Sequence, residues 1–367
     1  MTNQPSILIV GAGPVGMSAA VELRRRGFDL RIIDQANGPA GESRALGIHA
    51  RTLELFEPAG VTQKLLAAGH RVRGAVLADN KGDYLQLDFT HARQRFNFVL
   101  VLPQSETEKI LLKHVTSQGV TVEWQTQLVA LDPEVGQVQC RIVGPSGEDT
   151  STYDIVIGTD GAHSFVRRSL GIAFDGATYE HDWSLADVRF AGERSVDLIR
   201  IKEMDGAFLA YFPLSPDSGR FVYSGPDGLS IIKDEVRAEE VLWHSLFRIS
   251  HRIVQSFQRG RVFLAGDAAH IHSPVGGRGM NLGIEDAATL AWLIESGATD
   301  CYTSMRLPIG RKVLKFTDAQ TRHITSKNRF TVMLRRNIAP LALKSRAIQR
   351  MAFRRLSGAD TPRPQWL

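Results

Sequence analysis

The chain opens on a short apolar run, Ser6-Ile7-Leu8-Ile9-Val10, followed at once by Gly11-Ala12-Gly13-Pro14-Val15-Gly16. Continuous apolar residues over this length predict a strand buried on both faces. Residues 17–26 carry a helical pattern that Gly27 closes, and residues 30–33 form a second strand pattern ending in Asp34. Further on, a helix is expected over 52–58, and strand-like pattern over 72–87 and 96–102. Pro103-Gln104-Ser105 precedes a helix over 106–118, and strands follow at 121–124, 127–131, 140–143 and 153–157. The last runs into Gly158-Thr159-Asp160-Gly161 and a helix over 164–170.

Between Gly171 and Gly260 the texture changes. Short strands are expected at 183–190, 198–202, 207–212 and 220–224, with an antiparallel-type turn at Ser215-Pro216-Asp217-Ser218-Gly219. A helical pattern covers 233–247. A strand at 262–265 then leads into Gly266-Asp267-Ala268-Ala269-His270, a Gly-rich turn at 275–281 and a helix over 282–295. Beyond Glu295 the pattern is helical, with breaks expected at Pro308 and Pro340. The implied fold class is α/β: a Rossmann-like dinucleotide domain with an inserted sheet-bearing domain and C-terminal helices. The dinucleotide domain is expected in three pieces, 1–71, 101–171 and 260–300, with 72–100 and 172–259 in the inserted domain and 301–367 as a basic helical region.

Composition changes this picture little. The 367 residues contain two cysteines, Cys140 and Cys301, too few for a disulfide framework or a metal cluster, so a reducing cytoplasm is the expected compartment. No apolar run approaches the roughly 20 residues of a membrane span, and the N-terminus lacks a signal-peptide pattern. Charge is more informative. Residues 301–367 hold fifteen Lys/Arg against Asp318 and Asp360, which leaves the rest of the chain net acidic. The alternatives for such a tail are contact with nucleic acid or anionic lipid; with few aromatics for base stacking and apolar residues interleaved at helical spacing, a solvated helical face is expected, and membrane contact stays open.

Candidate chemistry gathers where strands end. Gly11, Gly13 and Gly16 suit a tight turn, close approach of backbone to a pyrophosphate and helix–strand packing, and Asp34 suits a ribose hydroxyl. The pattern does not separate NAD from FAD. Asp160 and Asp267 also follow strands, as turn carboxylates or ligand contacts, and glycines 276, 277 and 279 let backbone N–H groups approach a flat anionic ligand at a helix start. Arg44 and Arg51 are either surface charges or phosphate ligands. His270 and His272 are too few to hold a metal, so packing or cofactor-side hydrogen bonding is expected. Ser43 and Ser273 lack a nucleophile-elbow context; His163, Tyr211 and Tyr223 are weighed as pocket groups, and no catalytic base is assigned.

The ordered set Gly11–Gly16 with Asp34, Asp160-Gly161 and Gly266-Asp267 with Gly276-Gly277-Arg278-Gly279-Met280-Asn281 resembles the FAD-dependent aromatic hydroxylases. These are single-component flavoprotein monooxygenases with the para-hydroxybenzoate hydroxylase fold, here closest in pattern to the polyketide and phenol hydroxylase branch. The resemblance implies that Gly11, Gly13 and Gly16 hold the FAD pyrophosphate, Asp34 the adenosine ribose, and Arg44 and Gln104 the phosphate and ribityl region. It further implies that Asp160 serves FAD and NAD(P)H, that Gly266 and Asp267 contact the ribityl–pyrophosphate portion, and that Pro274 lies near the oxygen-reacting edge. The backbone of Gly279, Met280 and Asn281 would then face flavin N1 and the C2 carbonyl.

The implied activity is hydroxylation of an aromatic or polycyclic phenol-like substrate with NADH or NADPH and O2, through a flavin hydroperoxide. A reductase of the same fold and a non-catalytic ligand-binding flavoprotein are the alternatives; the Trp-x-Trp-x-Ile-Pro stretch of halogenases is absent. Where the family carries an acid before Arg-x-Pro, Met305 precedes Arg306-Leu307-Pro308. A homo-oligomer is compatible with the sequence, and so is a monomer.

Overall fold

The computed structural model describes residues 4–41, 45–204, 207–225, 227–326 and 328–367. Its centre is a six-stranded sheet in the order Gln258–Arg259, Val262–Leu264, Ile155–Gly158, Ile7–Val10, Arg31–Ile33, Val122–Glu123. All neighbours are parallel except Gln258–Arg259, which pairs antiparallel. Every residue of Ile7–Val10 and Ile155–Gly158 is buried, as a strand covered on both faces requires. Helices Pro14–Arg25, Gln104–Ser117 and Gly279–Glu295 pack together over this sheet. Helix Pro14–Arg25 begins with proline at its first position and ends on Arg24 and Arg25, both suited to the helix dipole.

The second large element is an eight-stranded sheet. Its order is His270–Ile271, Ala238–Val254, Phe174–Phe190, Ser218–Tyr223, Ala207–Ser215, Leu198–Met204, Gly74–Asp79, Gly82–Asp88. Strand alternation divides its side chains between two cores. Leu209, Tyr211, Phe221 and Tyr223 pack beneath helix Gly228–Val236, whereas Trp183, Phe208, Ala210 and Ile249 face the other way. The edge strand His270–Ile271 pairs with Arg252 and Ile253, so this sheet is joined directly to the loop that follows Val262–Leu264.

Two of the secondary-structure expectations fail as follows. The helix expected over 233–247 stops at Val236, and Ala238–Val254 is a 17-residue strand paired along Phe174–Phe190. Local periodicity favoured a helix, but the pairing partner lies some sixty residues upstream, and non-local pairing overrides local preference. Pro308 does not break the chain either: helix Tyr302–Ile324 runs through it. That helix buries Arg306, Gly310, Val313, Thr317 and Thr321 along one face, and this tertiary burial outweighs the roughly 3 kcal/mol of an internal proline.

Candidate functional site

Val10, Gly158 and Leu264 stand in register on adjacent parallel strands, and Ile33 pairs with Val10 on the other side. The segments that follow therefore leave the sheet at one edge, at the point where strand order reverses, which is where ligands of α/β sheets bind. Backbone bonds lock this edge: Gly11 donates to the Ile33 carbonyl at 2.8 Å, Thr159 to that of Val10 at 2.8 Å, and Ala265 to that of Gly158 at 3.0 Å.

The three glycines have different tasks. Gly11 has φ +104°, and a Cβ there would sit 2.5 Å from the Thr159 carbonyl oxygen; a Cβ on Gly16 would sit 1.9 Å from that of Gly11. Both are required by packing. Gly13 instead has nothing within 4 Å of a Cβ position, and it precedes a helix start with no side-chain cap. The space and the unpaired first-turn N–H groups suit a pyrophosphate. Asp34 borders this space, accepting from the Ala12 N–H at 2.7 Å and the Ala36 N–H at 2.8 Å.

Gln104 opens its helix nearby and donates from Nε2 to Glu108 Oε1 at 2.8 Å. Glu108 is buried, and burial raises its carboxyl pKa, with the Asp34 charge acting the same way against the Gln104 and Ala40 hydrogen bonds. Sequence reading missed Glu108; its i+4 spacing from Gln104 was the available signal. Arg44 lies outside the described residues. Asp160 accepts from the N–H groups of Phe165 at 2.7 Å and Val166 at 3.1 Å, capping the short helix Phe165–Ser169, while its Oδ1 is enclosed with no hydrogen-bond partner among the described residues. Burial raises the Asp160 pKa against those bonds.

Gly266, at φ +61°, threads between two helices: a Cβ would meet Val15 Cγ2 at 2.8 Å, and a Cβ on Gly283 would meet Gly266 Cα at 2.9 Å. The adjacent Asp267 is exposed, in the short turn Gly266–Ala268. Replacing Asp267 by alanine is expected to weaken FAD binding about tenfold, the worth of one polar contact at roughly 1.5 kcal/mol. Titration of apo-protein with FAD checks this, and unchanged affinity would remove Asp267 from the site.

Beneath this loop is a fully buried ionic cluster. Asp286 Oδ2 accepts from the Gly266 N–H at 3.1 Å and is 2.6 Å from His270 Nε2, while Arg306 donates to Asp286 Oδ1 and Glu285 Oε1, each at 2.6 Å. Burial pushes the Asp286 carboxyl up, but Arg306 and His270 more than reverse this and hold it below the usual range. The Tyr302 hydroxyl donates to the Leu264 carbonyl at 3.0 Å in the same layer. His270 thus hydrogen-bonds Asp286 and packs beside Phe257; no group of three or more His, Cys, Asp or Glu that could hold a metal occurs among the described residues. Arg306 also answers the departure at Met305, because it takes its carboxylates from helix Gly279–Glu295.

Gly276 and Gly277 have φ of +86° and +61°, and the Gly277 N–H closes a turn on the exposed Pro274. Helix Gly279–Glu295 then starts with no side-chain cap, leaving first-turn N–H groups directed along the helix axis. The Asn281 side chain is a hub the sequence did not reveal. It accepts from the His49 N–H at 2.9 Å and Thr52 Oγ1 at 2.7 Å, and donates to the Gly47 and Gly277 carbonyls at 2.8 Å each.

Full burial, with the Arg278 charge adding, pushes His49 down to about 3. The unfolded chain therefore takes up a proton below about pH 6.5 that the folded chain refuses, so stability is full above that pH and falls toward pH 3, by about 1.4 kcal/mol per pH unit. His49→Gln is expected to flatten this dependence in urea titrations between pH 4 and 7, and an unchanged slope would assign the acid lability elsewhere.

Facing the turn is an aromatic wall: Trp183 and Phe208 pack edge-to-face at 5.1 Å, Phe247 lies beside Trp183, and Val275 packs on the same cluster. Tyr211 and Tyr223 belong to the opposite core, and His163 is exposed.

A parallel sheet whose switch point carries a glycine turn, an acid at the second strand and an uncapped helix start defines a dinucleotide-binding fold made for an anionic cofactor. Residues 4–226 and 227–317 match the FAD binding domain family, and the chain belongs to that family. It is 32% identical to 6-methylpretetramide 4-monooxygenase of Streptomyces rimosus over 92% of this chain and 64% of that protein. It is 33% identical to pentachlorophenol 4-monooxygenase of Sphingobium chlorophenolicum over 86% of this chain and 64% of that one. The chain thus spans 64% of the length of these two curated relatives. Among solved structures, the anhydrotetracycline hydroxylase OxyS from Streptomyces rimosus superposes with a TM-score of 0.83 at 30% identity, over 99% of this chain and 77% of that one.

FAD is the cofactor, and this chain's own residues fit it. Gly13 leaves open space at a helix start that a side chain would occupy, Asp160 keeps an enclosed oxygen without a partner among the described residues, and two helix starts lack side-chain caps.

Proposed function

We propose that the chain hydroxylates an aromatic or polycyclic phenol-like substrate, using NADH or NADPH and O2. The observation that carries this reading is the juxtaposition of the Trp183–Phe208–Phe247 wall with the Val275 turn and the uncapped start of helix Gly279–Glu295. The relatives named as monooxygenases of 6-methylpretetramide and pentachlorophenol support it. When bound, FAD supplies hydride acceptance and the activation of O2.

The chain's residues supply position and charge. The first-turn N–H groups of Gly279, Met280 and Asn281 would stabilise negative charge on the isoalloxazine ring at its N1 side. Asp286 fixes Gly266 beneath the cofactor's path, and the Asn281 hub holds the 47–52 segment against the same helix. The aromatic wall orients a flat substrate by ring contacts and excludes water. No catalytic base for the phenol is assigned among the described residues. Tyr179, at the wall's margin, donates its hydroxyl to Asp318, and burial followed by the Asp318 carboxylate pushes its pKa up to about 12, so it stays protonated at neutral pH. The substrate's own acidity then governs its deprotonation. Both cysteines are free, which supports a cytoplasmic setting.

The test is NAD(P)H oxidation by the FAD-loaded protein across phenols and polycyclic aromatics, with products analysed by mass. A ligand that accelerates oxidation and gains one oxygen atom establishes the activity. Acceleration with stoichiometric reduction of the ligand and no oxygen gained would move the assignment to a reductase, and intact FAD that no ligand makes reducible would leave a binding protein.

A further inference from the structure

The basic C-terminal region is expected from sequence to be a solvated face, yet the structure gives it an apolar outer surface. Along Arg329–Met333, Leu334–Ile338 and Ala339–Leu343, the side chains of Phe330, Met333, Leu334, Ile338 and Leu341 are all exposed, Phe330 at 67% and Leu341 at 64%. A surface helix in a water-soluble protein turns such a stripe inward. Here polar contacts tie the segment down, with Arg336 paired to Glu203 at 3.0 Å and to Asp79 at 3.7 Å. Helix Arg346–Leu356 is fixed beside it by Phe353 packed at a tilt against Phe89, ring centres 4.8 Å apart, and by Arg350 donating to the His91 carbonyl at 2.9 Å. Met351, Arg354 and Arg355 remain on its outer side.

The charges within residues 301–367 are one-sided, although Asp79 and Glu203 of the large sheet pair with Arg336. The only two acids in 301–367 are engaged elsewhere: Asp318 with Tyr179 and Arg322, and Asp360 with Arg278 and Lys312. Lys344, Arg346, Arg354 and Arg355 are exposed with no ion pair among the described residues. We propose that this face docks on an anionic lipid surface, with the apolar stripe entering the headgroup boundary and the cations meeting lipid phosphates and carboxylates. A two-fold contact with a second copy would instead set this basic face against itself, which like charges oppose. No helix among the described residues is long and apolar enough to cross a membrane. The stripe adjoins strand Gly82–Asp88 at the edge of the large sheet, so docking would set that sheet beside the bilayer. This surface stands independently of the proposed chemistry.

The experiment is co-sedimentation of the FAD-loaded full chain with phosphatidylcholine vesicles, with and without phosphatidylserine. Binding is expected only with phosphatidylserine and should fall as salt rises. The double variant Ile338→Glu, Leu341→Glu is expected to abolish it, and Arg354→Gln with Arg355→Gln to weaken it about fivefold per charge removed. All four positions are exposed, so retention of the flavin absorbance confirms folded variants. Absence of binding to anionic vesicles, or equal binding to both compositions, would overturn the proposal. So would a dimer in light scattering that Leu341→Glu converts to monomer, because the stripe would then belong to a second copy.

Discussion

Arg306→Met is expected to lower stability by about 3–5 kcal/mol, the usual cost of leaving buried charges without their partner. Arg306 is buried between Glu285 and Asp286, bonded to both at 2.6 Å, and their charges raise its pKa beyond its ordinary value despite burial. Removing the guanidinium leaves two enclosed carboxylates, and one of them also holds the Gly266 N–H. The damage should therefore reach the cofactor loop. Urea unfolding of the apo-protein measures the stability loss, and FAD titration measures the second effect. The triple variant Arg306→Met, Glu285→Gln, Asp286→Asn should recover part of the loss, because neutral partners need no cation. A single-variant cost below about 1 kcal/mol, on the scale of an exposed pair, would show that the cluster is not the support described.

The second large effect separates cofactor binding from folding. Gly13→Val is expected to leave apo-protein stability close to that of the wild type, since a Cβ there has nothing within 4 Å. FAD affinity should fall at least about a hundredfold, because two charge-assisted hydrogen bonds from the helix start, at roughly 1.5–3 kcal/mol each, are blocked. Gly16→Ala should do the reverse, unsettling the fold itself through a Cβ 1.9 Å from the Gly11 carbonyl oxygen. If both variants bind FAD with unchanged affinity, the cofactor does not lie over this turn.

Much of the cofactor half was legible in the sequence because its signals are local. A continuous apolar strand, glycines at fixed spacing, a proline at a helix start and an acid at the next strand end each act within a few residues, and the 7–34 segment folds as its pattern indicates. Asp160 and Gly266-Asp267 were legible for the same reason, since each follows a short buried strand.

What tertiary structure decided is non-local. The strand Ala238–Val254 exists because Phe174–Phe190 pairs with it, and no window around 233–247 contains that partner. Helix Tyr302–Ile324 passes through Pro308 because its buried face holds it. The Asn281 hub joins residues more than two hundred positions apart, and Arg306 finds its acids twenty residues upstream on another helix, not beside it in sequence. The division of Trp183 and Phe208 from Tyr211 and Tyr223 was likewise invisible, because strand alternation separates two faces without saying which of them meets the flavin turn. The sequence by itself determined where the strand-end glycine turns and the helix starts lie. Only the packed chain determined what supports them, what faces them, and which apolar side chains were left turned outward.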